Sequence, residues 1–152
     1  MSVVSFTVYG TAKPAGSKSI GHAKNGRAFV RDSSGTPGKD WRRNVAQAAG
    51  IAMRAAPLLD GPVELQVRFY VPRPKVHLSA RGGVKASAPG FPTARPDVTK
   101  LLRAVEDAIT GIVWRDDAQV VVQHAEKRYG EPARAVIAIA PVEEVATTPT
   151  PR

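Results

Sequence analysis

The 152-residue chain predicts one domain of the α/β class, α+β in type, with a β-sheet of about four to five strands packed with two main helices. Two segments carry apolar residues at helical spacing, and one nine-residue segment alternates apolar and polar side chains with the period of a half-buried strand. Shorter strand-like runs stand nearer the termini, and the length suits a single hydrophobic core.

Val3 to Tyr9 alternates Val, Ser, Thr and aromatic residues and reads as the first strand. Gly10 to Arg27 is turn-rich, with Gly16, Gly21 and Gly26 among Lys13, Lys18, Lys24 and Arg27. It matches no P-loop pattern and reads as a flexible connection, with Ala28 to Arg31 as a short returning strand. Thr36-Pro37-Gly38 opens the first helix, where proline suits the first turn; Trp41, Val45, Ala48, Ala49, Ala52 and Met53 form its inner face, and Pro57 ends it. After the Asp60-Gly61-Pro62 turn, Val63 to Val71 is the alternating strand.

Pro72 to Pro96 shifts to Pro, Gly, Ser and basic residues. A structureless stretch of about 25 residues within a compact domain is commonly functional or disordered, and this one reads as a flexible basic arm that orders on a polyanion. Val98 to Thr110 is the second helix, with Val98, Leu101, Leu102, Val105, Ala108 and Ile109 on one face and Gly111 as its stop. Strands at Val120 to Lys127 and Ala133 to Ala140 follow, joined around Gly130-Glu131-Pro132. The domain is expected to span residues 1–142, with 143–152, rich in Thr and Pro, as a disordered tail.

The net charge of +9 is unevenly spread: residues 1–95 hold fifteen Lys/Arg against four Asp/Glu, residues 96–152 seven against nine. A basic surface of this kind attracts polyanions, nucleic acid above all. Lys18, Lys24 and Arg27 in the first loop, Arg42 and Arg43 on the first helix, Arg73, Lys75, Arg81, Lys85 and Arg95 in the arm, and Lys100 are the candidate phosphate contacts. The chain has no cysteine, which excludes disulfides, thiolate zinc sites and cysteine nucleophiles. His22, His77 and His124 lack metal-ligand spacing, and no Gly-x-Ser-x-Gly or dinucleotide fingerprint is present. No run approaches the roughly 18 apolar residues of a membrane span, so a soluble, cytoplasmic protein without a membrane partner is expected.

Against this basic background five carboxylates, Asp97, Glu106, Asp107, Asp116 and Asp117, fall within twenty-one residues. At about 100° per residue, Thr99, Arg103, Glu106 and Thr110 share one stripe of the second helix, roughly opposite its apolar face. Asp97 stands at the helix entrance, and the turn from Gly111 to Trp114 can bring Asp116-Asp117 alongside. Magnesium is held by one or two carboxylates with water and phosphate oxygens, so Asp97 and Asp117 form a candidate ligand pair for Mg2+, with Mn2+ as the alternative. Asp97 as a helix cap and Asp116-Asp117 as a solvated pair are the competing readings.

The segments Arg95-Pro96-Asp97-Val98-Thr99-Lys100-Leu101-Leu102-Arg103 and Trp114-Arg115-Asp116-Asp117-Ala118-Gln119-Val120 resemble the two-part motif of the RusA-type Holliday junction resolvases, endonucleases common in bacteria and their phages. The resemblance is close over residues 95–128 and looser over most of the domain. It implies a small mixed α/β fold with a mixed sheet, a homodimer with two active sites, and magnesium-dependent nicking of four-way DNA junctions in recombination and repair. By position, Asp97 matches the first catalytic aspartate and Asp117 the catalytic aspartate of the second segment; Asp116 neighbours it, and Asp107 is also matched. Two positions depart: Thr99 replaces the second family aspartate, and Arg103 replaces the family lysine, exchanging a point charge for a planar fork.

Glu106, two turns below Thr99, is the expected substitute carboxylate, with Arg103 either offsetting charge repulsion or holding the scissile phosphate; a plain surface ion pair of Glu106 with Arg103 is the alternative. The catalytic set expected from sequence is therefore Asp97, Asp117, Arg103 and Glu106, the metal set Asp97, Asp117, Asp116 and Glu106. Two competing classes remain: a junction- or fork-binding protein of the same fold with weakened catalysis, and a basic RNA-binding protein, which leaves the clustered carboxylates without a role.

Overall fold

The computed structural model describes residues 3–16, 18–146 and 149. The chain runs β1 (Val4–Tyr9), β2 (Lys18–His22), β3 (Ala28–Asp32), α1 (Gly35–Met53), β4 (Val63–Val71), α2 (Val98–Ile109), β5 (Val120–Tyr129) and β6 (Arg134–Pro141), with short 3-10 turns at Lys75–His77 and Asp117–Gln119. β1, β6, β4 and β5 form a four-stranded sheet in that order, while β2 and β3 pair as a separate hairpin. β4 and β5 are parallel and the other pairs antiparallel. A parallel pair needs a crossover of a dozen or more residues, and α2 supplies it. The result is the mixed sheet with two helices that the sequence predicts.

Period-two alternation decides which face of the sheet is covered. Val63, Leu65, Val67 and Phe69 of β4 are buried, and the last three stand in register with the buried Ile139, Ile137 and Ala135 of β6. Trp41, Val45, Ala49 and Met53 of α1 and Leu101, Leu102, Ala104, Val105 and Ile109 of α2 complete the same core from one side. The opposite face stays open and polar. There Arg68 pairs with Glu126, Arg128 with Glu126 at 2.9 Å, and His124 with Glu64 at 3.2 Å.

One element departs from the sequence expectation. Lys18–His22, expected as part of a turn-rich connection, is a strand, and it pairs residue for residue with Ala28–Asp32. Its apolar residue Ile20 is 73% exposed, as is Val30 opposite at 68%. None of the described side chains of the hairpin is buried, so it leaves no hydrophobic periodicity to read.

The segment 72–96 has little regular structure, yet polar and aromatic contacts fasten it to the sheet. The Arg73 guanidinium lies 4.3 Å from the Tyr129 ring centroid and donates to the Pro89 carbonyl at 2.8 Å. Leu78 and Val84 form an isolated antiparallel bridge, and the Lys127 ammonium donates to the carbonyls of Ala94 (2.9 Å) and Pro96 (3.0 Å). Of the tail, residues 143–146 and 149 lie in no helix or strand, and 147, 148 and 150–152 lie outside the described residues.

Candidate active site

α2 organises the acidic residues. Asp97 occupies its N-cap position with extended backbone, and the Asp97 carbonyl accepts the first helical bond from Leu101 N at 3.1 Å. Its carboxylate makes no capping bond, so that group is left for another use. It lines a cavity with Lys13, Arg95 and Lys100. Further along, Thr99, Arg103 and Asp107 are exposed, and Glu106 is partly buried.

At the far end of α2 the chain turns through a packed knot. Gly111, at φ 86°, closes the turn by donating its N–H to the Trp114 carbonyl at 2.7 Å. Trp114 is fully buried, and its indole N–H donates to Thr110 Oγ1 at 3.0 Å. Asp116 Oδ1 then accepts from Ala118 N at 2.9 Å, while Gln119 Oε1 accepts from the N–H groups of Arg115 (3.0 Å) and Asp116 (3.1 Å). Gln119 Nε2 reaches across to the carbonyls of Leu59 (3.0 Å) and Gly61 (2.9 Å). In the Asp-Asp-Ala-Gln-Val segment the first Asp caps, the Gln pins, and Asp117 between them is exposed beside α2.

Asp117 shares a cavity of about 580 Å³ with Asp107 of α2, with Thr110 at the C-cap of that helix, and with Arg42 and Arg43 of α1. Arg42 donates to Ser34 Oγ at 3.1 Å, and Arg43 pairs with Asp40 at 3.4 Å. Glu106 belongs to the same neighbourhood: its carboxylate accepts from Gln123 Nε2 on β5. Burial foremost raises its pKa above the ordinary glutamate value, and the negative charges of Asp117 and Asp107 add to that; the Gln123 bond and the Arg103 charge pull the other way. Among the described residues no ion pair joins Glu106 to Arg103, so the guanidinium acts through its field.

The structure thus brings Glu106, Asp107 and Asp117 together and sets Asp97 apart. Nine residues separate Asp97 from Glu106, about 13 Å along a helix axis. Among the described residues no three carboxylate or imidazole side chains converge on a metal-binding point. Asp117 with one neighbouring carboxylate nevertheless suits magnesium, which takes one or two protein carboxylates and fills its shell with water and phosphate oxygens. Burial foremost, and the neighbouring Asp117 and Asp107 charges after it, disfavour the Glu106 anion, and a divalent cation would offset the charge part of that cost.

The other expected phosphate contacts are dispersed. Lys24 and Arg27 sit at the β2–β3 turn, Lys75 in the 3-10 turn after β4, and Arg81 and Lys85 are exposed in the segment that follows. Arg73 is engaged with Tyr129, and the side chain of Lys18 lies outside the described residues. Two residues outside the expected site sets matter here, Gln119, which stands within the second motif segment, and Gln123. Gln119 carries a local signal, since Asp116-x-x-Gln119 has the spacing of a capping box. The contact of Gln123 with Glu106 is a tertiary event with no local signal.

Comparison with known proteins gives two findings. A family model described as "Endodeoxyribonuclease RusA" matches residues 9–140. The uncharacterized protein YqaN of Bacillus subtilis (strain 168) is 31% identical over 141 residues, covering 91% of this chain and 96% of that protein.

Proposed function

Because the chain belongs to the RusA endodeoxyribonuclease family, we propose that it is a structure-selective endonuclease that resolves four-way junctions or related branched DNA by magnesium-dependent phosphodiester hydrolysis, in recombination and repair. One observation carries this reading: Asp117 and Asp107, with Glu106 close by, meet Arg42 and Arg43 around a single cavity of a strongly basic protein. Carboxylates alone repel DNA; carboxylates beside guanidinium groups suit a cation and the phosphate it accompanies.

In this reading Asp117 holds Mg2+ together with Asp107 or Glu106. When bound, the ion activates water and neutralises charge developing on the phosphodiester. Arg42 and Arg43 orient the phosphate, and Arg103 offsets the repulsion among the carboxylates. Asp116 holds the turn that presents Asp117. Asp97 is the second essential aspartate, set among Arg95 and Lys100, where strand and acid meet. The exposed cations of the hairpin and the 72–96 segment grip backbone phosphates without reading bases, so selectivity comes from DNA shape and from a two-fold arrangement of two copies.

A labelled synthetic four-way junction incubated with and without magnesium tests the proposal. Paired symmetrical nicks that require the ion and vanish in Asp117→Asn are expected. Thr99, and the placing of Asp97 and Glu106 about nine helical positions apart, favour one second reading, a junction binder with weakened catalysis. That protein retards junctions in a gel and leaves every strand intact with magnesium or manganese.

A further inference from the structure

At the start of α2, a cavity of about 440 Å³ is lined by Lys13, Pro14, Arg95 and Lys100 around Asp97. Three cations face one carboxylate, and among the described residues no ion pair joins any of the three to Asp97 or to another acid. Three cations around a single carboxylate leave an excess of positive charge, so the arrangement gains stability when an anion enters. Lys13 comes from the connection after β1, eighty residues and more away in sequence from Arg95 and Lys100.

That connection is built, not loose. Gly10 N–H donates to the Ala133 carbonyl at 2.9 Å, Ala12 is buried in the core, and Ala15 N–H donates to the Lys100 carbonyl at 2.9 Å. On the other side the Lys127 ammonium clamps the backbone on either side of Arg95. Lys13 is itself partly buried, so less of its freedom is lost when it meets a ligand.

We propose that Lys13, Arg95 and Lys100 form a seat for one internal phosphodiester of the DNA strand, with Lys13 as the residue that positions that phosphate beside Asp97. The proposal rests on the nuclease reading and adds to it a discrete subsite and a residue outside the two acidic motif segments. A 5′-terminal phosphate has the same chemistry, and the test separates the two sources.

Junction binding is measured by fluorescence anisotropy without divalent ions across a salt series, for the wild type, Lys13→Gln and Lys13→Arg. One lost phosphate contact lowers the slope of log affinity against log salt by about 0.9. Lys13→Gln is expected to show that drop with roughly five- to tenfold weaker binding, and Lys13→Arg to keep the wild-type slope. A single methylphosphonate at the seated position costs the wild type the same factor and costs Lys13→Gln nothing further. Unchanged slope and affinity in Lys13→Gln overturn the proposal, and an effect that tracks a 5′-terminal phosphate overturns the internal assignment. Lys100→Gln, at an exposed helix position, gives the same reading should Lys13→Gln fail to melt cooperatively. If the wild type cuts no branched DNA, the nuclease reading fails by itself, because the slopes are obtained without cleavage.

Discussion

The first turn of α2 and the turn beyond its last residue are both charged, and they differ in balance: cations outnumber the carboxylate at the first, whereas carboxylates and guanidinium groups are mixed at the second. Around Asp97 the cavity holds three cations and one carboxylate; around Asp117 two aspartates share a cavity with Arg42 and Arg43, and Glu106 beside them has its pKa raised by burial foremost, with the charges of Asp117 and Asp107 adding to it. The first environment suits an anion, the second a cation. Reaction at a phosphodiester would draw on both, and α2 carries Asp97 and Lys100 at one end and Glu106 and Asp107 at the other, so the distance between those ends follows from helix geometry.

The sharpest test of this division is Asp117→Asn. It is expected to lower junction cleavage by about two to three orders of magnitude, the scale of losing a main electrostatic stabiliser of the reaction, with junction affinity unchanged in gel retardation. Asp97→Asn is expected to cost about tenfold to a hundredfold in single-turnover cleavage and to tighten binding, because the cationic cavity loses its one opposing charge. Equal losses with equal magnesium dependence in the two variants would break the division and place both aspartates on one ion.

Gln119→Ala addresses how the acidic end is held. Two N–H groups and two carbonyls lose their partner at once, and a loss of about 1–3 kcal/mol in urea unfolding is expected, together with weaker cleavage, since Asp117 lies within the released turn. The smallest effect belongs to Glu106. A carboxyl with a raised folded-state pKa binds its proton more tightly when folded, so it destabilises the protein as pH rises from the unfolded pKa through the folded one. Glu106→Gln is expected to flatten that part of the stability profile and to change cleavage only several-fold at neutral pH. A fall in activity as large as that of Asp117→Asn would make Glu106 a direct ligand.

How much of this was legible in the chain varied with the range of the interaction. The alternation from Val63 to Val71 and the apolar stripe from Val98 to Ile109 reproduce the observed β4 and α2 because each buries one face and repeats accordingly. β2 was invisible because neither of its faces is buried as a set. The placement of Asp117 beside the end of α2 follows from the short connection after Thr110, and the separation of Asp97 from Glu106 follows from helical rise. The pairing of Glu106 with Gln123 and the return of Lys13 to Asp97 depend on how β5 and the connection after β1 pack on α2, which no local pattern encodes.

The pin formed by Gln119 bears on how this chain can vary. Because that side chain ties the Asp117 turn to the backbone ahead of β4, an inserted or deleted residue between Gly111 and Gln119 would unfasten two distant pieces of chain together. Among the described residues, no side-chain hydrogen bond ties the β2–β3 turn or residues 79–88 of the 72–96 segment to a distant part of the chain. Length differences among relatives should gather in those two places and spare the turn after α2, where drift in sequence is tolerable and drift in length is not.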